Sequence, residues 1–135
     1  MPSVLYVKET LNVGSDTFFP CDSQQEPYAV VFEDDGKTGY FYACAVGEKG
    51  VSNILDAVHI YNVKDVIDKD KPSEIKIGWS SNGLQAILLI NDHPHAVFDF
   101  ENQSGFCRTG FPPPRENGWC KNDHKWKEEA MKYFR

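Results

Sequence analysis

Basic side chains are scarce in this chain: 14 lysines and arginines stand against 20 aspartates and glutamates, giving a net charge of −6. A protein that holds nucleic acid mainly through phosphates needs a clustered basic surface to displace counterions, so this balance argues against DNA or RNA. Long apolar runs are missing too. The longest stretch without a charge, Ile77 to Asn91, is interrupted by Ser80, Ser81, Asn82, Gly83 and Gln85, and it falls short of the roughly 20 apolar residues of a membrane span. The first residues, Met1-Pro2-Ser3-Val4-Leu5, lack a basic n-region, and Lys8 and Glu9 cut the apolar run before an h-region forms. The expectation is no secretory signal, no membrane and a cytoplasmic address. In that setting Cys21, Cys44, Cys107 and Cys120 read as reduced thiols and not as a disulfide framework. No repeat and no linker rich in Gly, Ser or Pro divides the chain.

What is present is enough apolar material for a core. Hydrophobic residues make up 41% of 135 residues and aromatics 13%, which excludes a disordered chain and suits one globular domain over residues 1–135. Glu74 to Ser80 alternates apolar with polar or small residues, and Asn82-Gly83 carries the composition of a two-residue type I′ turn. That hairpin sets Trp79 opposite Ala86, Ile77 opposite Leu88 and Ile75 opposite Ile90. A turn at Asn91 to Pro94 leads to a third strand, His95 to Phe100. An even-length loop there would place Phe98 beside Ile87 and Leu89 and point Asp99 toward the Trp79 side. Phe106 to Thr109 reads as a short fourth strand. Tyr28 to Glu33 and Tyr40 to Val46 flank the polar turn Asp34 to Gly39 as a second hairpin. Residues 54–63 fit both periods, with a strand favoured from about 57. Trp126, Ala130, Tyr133 and Phe134 fall at helical spacing behind Asn122 or Asp123 as N-cap. The predicted architecture is therefore α+β: a single antiparallel sheet of about six strands with a C-terminal amphipathic helix packed on it.

Candidate chemistry is sparse. Gly36-Lys37-Thr38 resembles the end of a phosphate loop, but Val31 stands where the first glycine is needed and Asp34 and Asp35 would repel phosphate. Histidines 59, 93, 95 and 124 and the four cysteines are potential ligands, yet no two cysteines lie two to four residues apart. Cys120 and His124 are four apart, and a structural zinc site normally shows two such close pairs. Cys44, Cys107, His59 and Asp56 contain the residue types of a nucleophilic site without any local signature. Asp99 and Glu101 only share a strand face. The run Arg108 to Pro114 imposes an extended conformation suited to sealing a sheet edge, with Phe111 as an anchor and Arg108 available to Asp99 or Glu101. The expectation is no catalytic residue, no metal and no cofactor.

Four segments carry a family resemblance: Asp56-Ala57-Val58-His59-Ile60-Tyr61-Asn62-Val63, Ile77 to Gly83, Ala96-Val97-Phe98-Asp99-Phe100, and Arg108-Thr109-Gly110-Phe111-Pro112-Pro113. Over about residues 28–114 the chain resembles a small bacterial family of proteins without assigned function. The resemblance implies no catalytic residues.

Two functional expectations follow from the residues. Residues 1–60 hold three bases against nine acids, so a non-catalytic module that binds a basic protein, of the kind that neutralises a toxin, is the first. Its contact residues would be Glu33, Asp34 and Asp35 at an exposed turn, with Tyr40 as an apolar anchor. The second is a small-ligand or enzymatic pocket between the sheet and the terminal helix, lined by Trp79, Asp99 and Trp126.

Overall fold

The computed structural model describes residues 4–48, 50 and 52–134. Among the described residues there are ten strands: β1 (Val4–Leu11), β2 (Thr17–Asp22), β3 (Tyr28–Asp34), β4 (Thr38–Val46), β5 (Ser52–Asn62), β6 (Ser73–Trp79), β7 (Gln85–Ile90), β8 (His93–Asp99), β9 (Ser104–Cys107) and β10 (His124–Lys125). They form two sheets. One runs β1-β6-β7-β8-β9-β10, antiparallel except for the parallel pair β9 and β10; the other is the antiparallel meander β2-β3-β4-β5.

The inward faces share a core. Alternation along β6, β7 and β8 turns Ile75, Ile77, Trp79, Ala86, Leu88 and Phe98 toward the second sheet, where Val30, Phe32, Phe41, Ala43 and Val58 meet them. Phe41 stacks on Phe98 with centroids 5.4 Å apart, and Tyr28 stacks on Phe100 at 4.5 Å. Each such side chain contributes about 1.5–3 kcal/mol by leaving water.

The α+β expectation is overturned: the fold is mostly β, with two sheets instead of one and no C-terminal amphipathic helix. Of the apolar positions expected there, Trp126, Ala130 and Phe134 do pack on Ile87 and Val97 behind the six-stranded sheet, joined by Met131, which the sequence reading did not name, and not by Tyr133. The conformation is not the expected one. His124-Lys125 is captured as a strand by β9, leaving only Glu128–Phe134, which forms a 3-10 segment with Ala130 N–H donating to Lys127 O. Seven residues are too few for a self-supporting α-helix.

Register fared better than turn type. Trp79 pairs with Ala86, Ile77 with Leu88 and Ile75 with Ile90 as expected. The connection is nevertheless a four-residue loop in which Gly83 alone of the Asn82-Gly83 pair has positive φ, its N–H bonded to Ser80 O. The left-handed pair occurs one turn later, at Asn91 (φ 51°) and Asp92 (φ 63°), an even-length loop joining Ile90 to His93. A bulge then skips His95, since Leu89 pairs with Pro94 and Leu88 with Ala96. That extra residue reverses the faces of the remaining strand. Phe98 lands opposite Ala86 in the core, and Asp99 turns away from Trp79, contrary to expectation.

The hairpin β3-β4 matches the sequence reading, and residues 54–62 are strand, β5 beginning at Ser52 and not near 57, while Val63 opens a 3-10 turn. The proline-rich segment covers the edge of β5: His59 N–H donates to Phe111 O and Thr109 Oγ1 donates to His59 O. Arg108 does not meet Asp99 or Glu101; it lies 4.0 Å over the Trp126 ring and 3.6 Å from Glu128.

Candidate functional site

Antiparallel sheets often turn one polar face to water. The outward face of β2-β3-β4-β5 departs from that rule. Pairing places Phe18 beside Glu33, Pro20 beside Val31 and Asp22 beside Ala29, then Glu33 beside Tyr40 and Val31 beside Tyr42, then Cys44 beside Ile54 and Tyr40 beside His59. Phe18 is 61% exposed and Ile54 65%. With Pro20, Val31 and Tyr42 they wall an open groove to which Asp22 and Glu33 add the negative charges. Tyr42 donates its hydroxyl to Glu33 at 3.3 Å, and burial together with the Glu33 charge pushes the phenol up to about 12. An aromatic series continues from Tyr42 to Tyr40, edge-on to His59, and on to Phe111, at centroid distances of 6.1, 5.5 and 5.8 Å.

The acidic turn beside this face divides its labour. Glu33 faces the groove. Asp34 points the other way and is fully buried; its carboxylate accepts from Gly14 N–H, Gly36 N–H and the Tyr61 hydroxyl. Asp35 is exposed, and the N–H groups of Thr38 and Lys37 that it accepts hold its carboxyl below the usual range. Tyr40 is half-buried in the aromatic series.

A second cluster lies where β5, β9 and β10 converge. Asp56 sits on the inward side of β5 opposite Ala43, at a bulge that skips Leu55. His124 Nε2 is 2.6 Å from Asp56 Oδ2, and His124 Nδ1 is 2.6 Å from Pro112 O. A carbonyl oxygen can only accept, so Nδ1 carries a proton. Burial works against charge on His124, but the bonds to Asp56, Cys120 and Pro112 outweigh it and push the imidazole up to about 10. Cys120 is buried beside the pair, with Sγ 2.8 Å from Asn122 Oδ1. Donor atoms of Asp56, Cys120 and His124 lie within 4.8 Å of one another and border a cleft of roughly 190 Å³ formed with Pro112, Arg115 and Trp119. Both ring nitrogens are engaged by acceptors, so His124 does not present a free base to the thiol.

The three residues expected to line one pocket are separated by the sheet. Trp79 is fully buried on the inward side, stacked on Phe100 at 5.4 Å, whereas Trp126 packs behind the sheet on Ile87 and Val97. Asp99 is buried with its carboxylate accepting from Gln85 Nε2, the N–H groups of Glu101 and Asn102, and Asn102 Nδ2. Sequence reasoning missed Phe18, Asp22, Val31, Tyr42 and Ile54 as one surface, although the alternation in Thr17 to Asp22 was a usable signal. It grouped Asp56 with Cys44, Cys107 and His59, while the fold pairs it with His124, 68 positions away.

Residues 11–135 match the model of a family described as an uncharacterized protein conserved in bacteria (DUF2251). The chain belongs to this family. It is also similar to an uncharacterized protein of Haemophilus influenzae (strain ATCC 51907 / DSM 11121 / KW20 / Rd), 43% identical over 89 residues, or 66% of this chain. The match spans 55% of that relative's length, so the chain corresponds to about half of it. No solved structure matches. Among the described residues no helix is long and apolar enough to cross a membrane. Family membership assigns no chemistry.

Proposed function

We propose that the chain is a non-catalytic, cytoplasmic binding module for a basic protein, of the kind that neutralises a toxin, and that it engages this partner through the outward face of β2-β3-β4-β5. The observation that carries the reading is the exposure of Phe18 and Ile54 on one apolar sheet face whose charged members, Asp22 and Glu33, are both acidic. Contiguous apolar surface on a folded protein marks an interaction site, and the acids select a partner of opposite sign. A second copy of the chain fits poorly there, because face-to-face pairing would bring Asp22 and Glu33 of both copies together. Phe18, Ile54 and Tyr42 supply the apolar anchors, with Tyr40 at the margin. Glu33 and Asp22 contribute mainly to encounter rate, and Asp35 adds long-range field.

The test is affinity capture from native bacterial cytosol with the parent chain, a Phe18→Ser/Ile54→Ser variant and an Asp22→Asn/Glu33→Gln variant, followed by association kinetics with the purified partner. Support is a basic protein whose affinity falls at least tenfold with the apolar variant, and whose association at low salt slows several-fold with the charge variant. Both sites are at the surface, so unfolding midpoints should stay within about 0.5 kcal/mol of the parent. Capture of the same proteins by parent and both variants, or a partner of acidic character, overturns the proposal.

A further inference from the structure

We propose that Asp56, Cys120 and His124 form a binding site for a divalent transition-metal ion of the zinc type. The donor set is one carboxylate oxygen, one thiol sulfur and one imidazole nitrogen within 4.8 Å of one another. These are ligands that zinc accepts together, and a thiolate with a carboxylate neutralises the charge of a divalent ion in a buried place. The donors are shielded, His124 being 1% exposed and Cys120 8%, yet they border the cleft and not the sealed core.

The surroundings of the histidine strengthen the case. A metal-bound imidazole ordinarily donates its other N–H to a carbonyl or carboxylate, which orients the ring. His124 Nδ1 does this with Pro112 O at 2.6 Å, and Nε2 is aimed at Asp56 and Cys120, so that ligation releases the Nε2 proton and the Cys120 thiol proton to solvent. Room for the arrangement depends on Gly105, because a Cβ there would stand 3.1 Å from Asp56 Oδ2 and 3.2 Å from His124 Cδ2. Asn122 braces the same corner, accepting from Gly105 N–H and donating to Gly105 O, and its Oδ1 accepts the Cys120 S–H at 2.8 Å, a bond that ligation of the sulfur would replace. Two ligands of one tetrahedral ion stand about 3.3 Å apart, so ligation opens the 2.6 Å contact between Asp56 and His124 by less than about 1 Å. Three protein donors leave one position of a tetrahedral ion to be filled from the cleft, which Arg115 also lines.

The experiment is titration of the chelator-treated full chain with cobalt(II), followed by displacement with zinc(II). The expected result is one cobalt per chain, a thiolate-to-cobalt charge-transfer band in the near ultraviolet and visible bands of tetrahedral intensity, all removed by zinc. Cys120→Ser should abolish the charge-transfer band and Asp56→Asn should weaken binding at least tenfold, while Cys44→Ser leaves both unchanged. Absence of binding to the folded parent chain, or a band that survives Cys120→Ser, overturns the site. If Cys120→Ser does not fold, zinc-edge X-ray absorption of the loaded parent decides. One sulfur among nitrogen and oxygen ligands supports the site, and a shell with no sulfur or several sulfurs overturns it.

Discussion

Tyr61 donates its hydroxyl to the buried carboxylate of Asp34 at 2.6 Å, tying β5 to the end of β3 across the strand between them. The same carboxylate accepts Gly14 N–H at 2.7 Å and Gly36 N–H at 2.8 Å. One side chain thus fastens three segments. Burial first, and then the bond to Asp34 and its charge, pushes the Tyr61 phenol well above its ordinary range, so it stays a donor at every physiological pH.

Asp34 therefore serves the fold, while its neighbour Glu33 lines the outward groove. Asp34→Ala leaves three donors without their acceptor and should cost roughly 3 kcal/mol, whereas Tyr61→Phe removes one donor and should cost about 1–1.5 kcal/mol. Urea unfolding of the two single variants and the double variant checks this, with the double expected to fall short of the sum because the residues share a bond. Unchanged midpoints for Asp34→Ala would refute the fastening role.

Gly105 should be hard to replace. An added Cβ meets Phe98 Cε1 at 3.0 Å as well as Asp56 and His124, and all three neighbours are buried or nearly so. Gly105→Ala is expected to destabilise the chain by about 1–3 kcal/mol, measured as a shift in denaturation midpoint. Gly50, with nothing within 4 Å of its would-be Cβ, has space for Ala but a φ of 75°, so Gly50→Ala should cost about 1 kcal/mol, from backbone conformation alone.

Acid should weaken the chain through His95. Burial, with the nearby His93 and Arg108, lowers this imidazole from 6.5 to about 4. The folded state thus resists a proton that the unfolded chain accepts near 6.5. The contribution of His95 is complete above that value and is lost as pH falls toward about 4, an effect on the order of 2 kcal/mol after discounting for partial exposure. Urea midpoints at neutral pH and near pH 4.5 should differ less in His95→Gln than in the parent; an identical difference in both would remove His95 as the cause.

Local pattern was enough for the register of β6-β7, for β3-β4 and for three of the four apolar positions named near the C-terminus, because side-chain periodicity and turn residues act over a few neighbouring positions. It was not enough for the bulge at His95, where one unpaired residue decides which face Asp99 occupies, since no side-chain period announces such an insertion. Nor could spacing foresee that β9 would capture His124-Lys125 and leave too short a tail for a helix. The meeting of Asp56 with His124, and the assembly of Phe18, Val31, Tyr42 and Ile54 into one face, join segments far apart in the chain. The sequence by itself determined the inward residues and the extension of β6-β7 and β3-β4, where alternation is strong. Only the tertiary structure decided which strands become neighbours, because that choice rests on the simultaneous burial of two sheets against each other and not on any local preference.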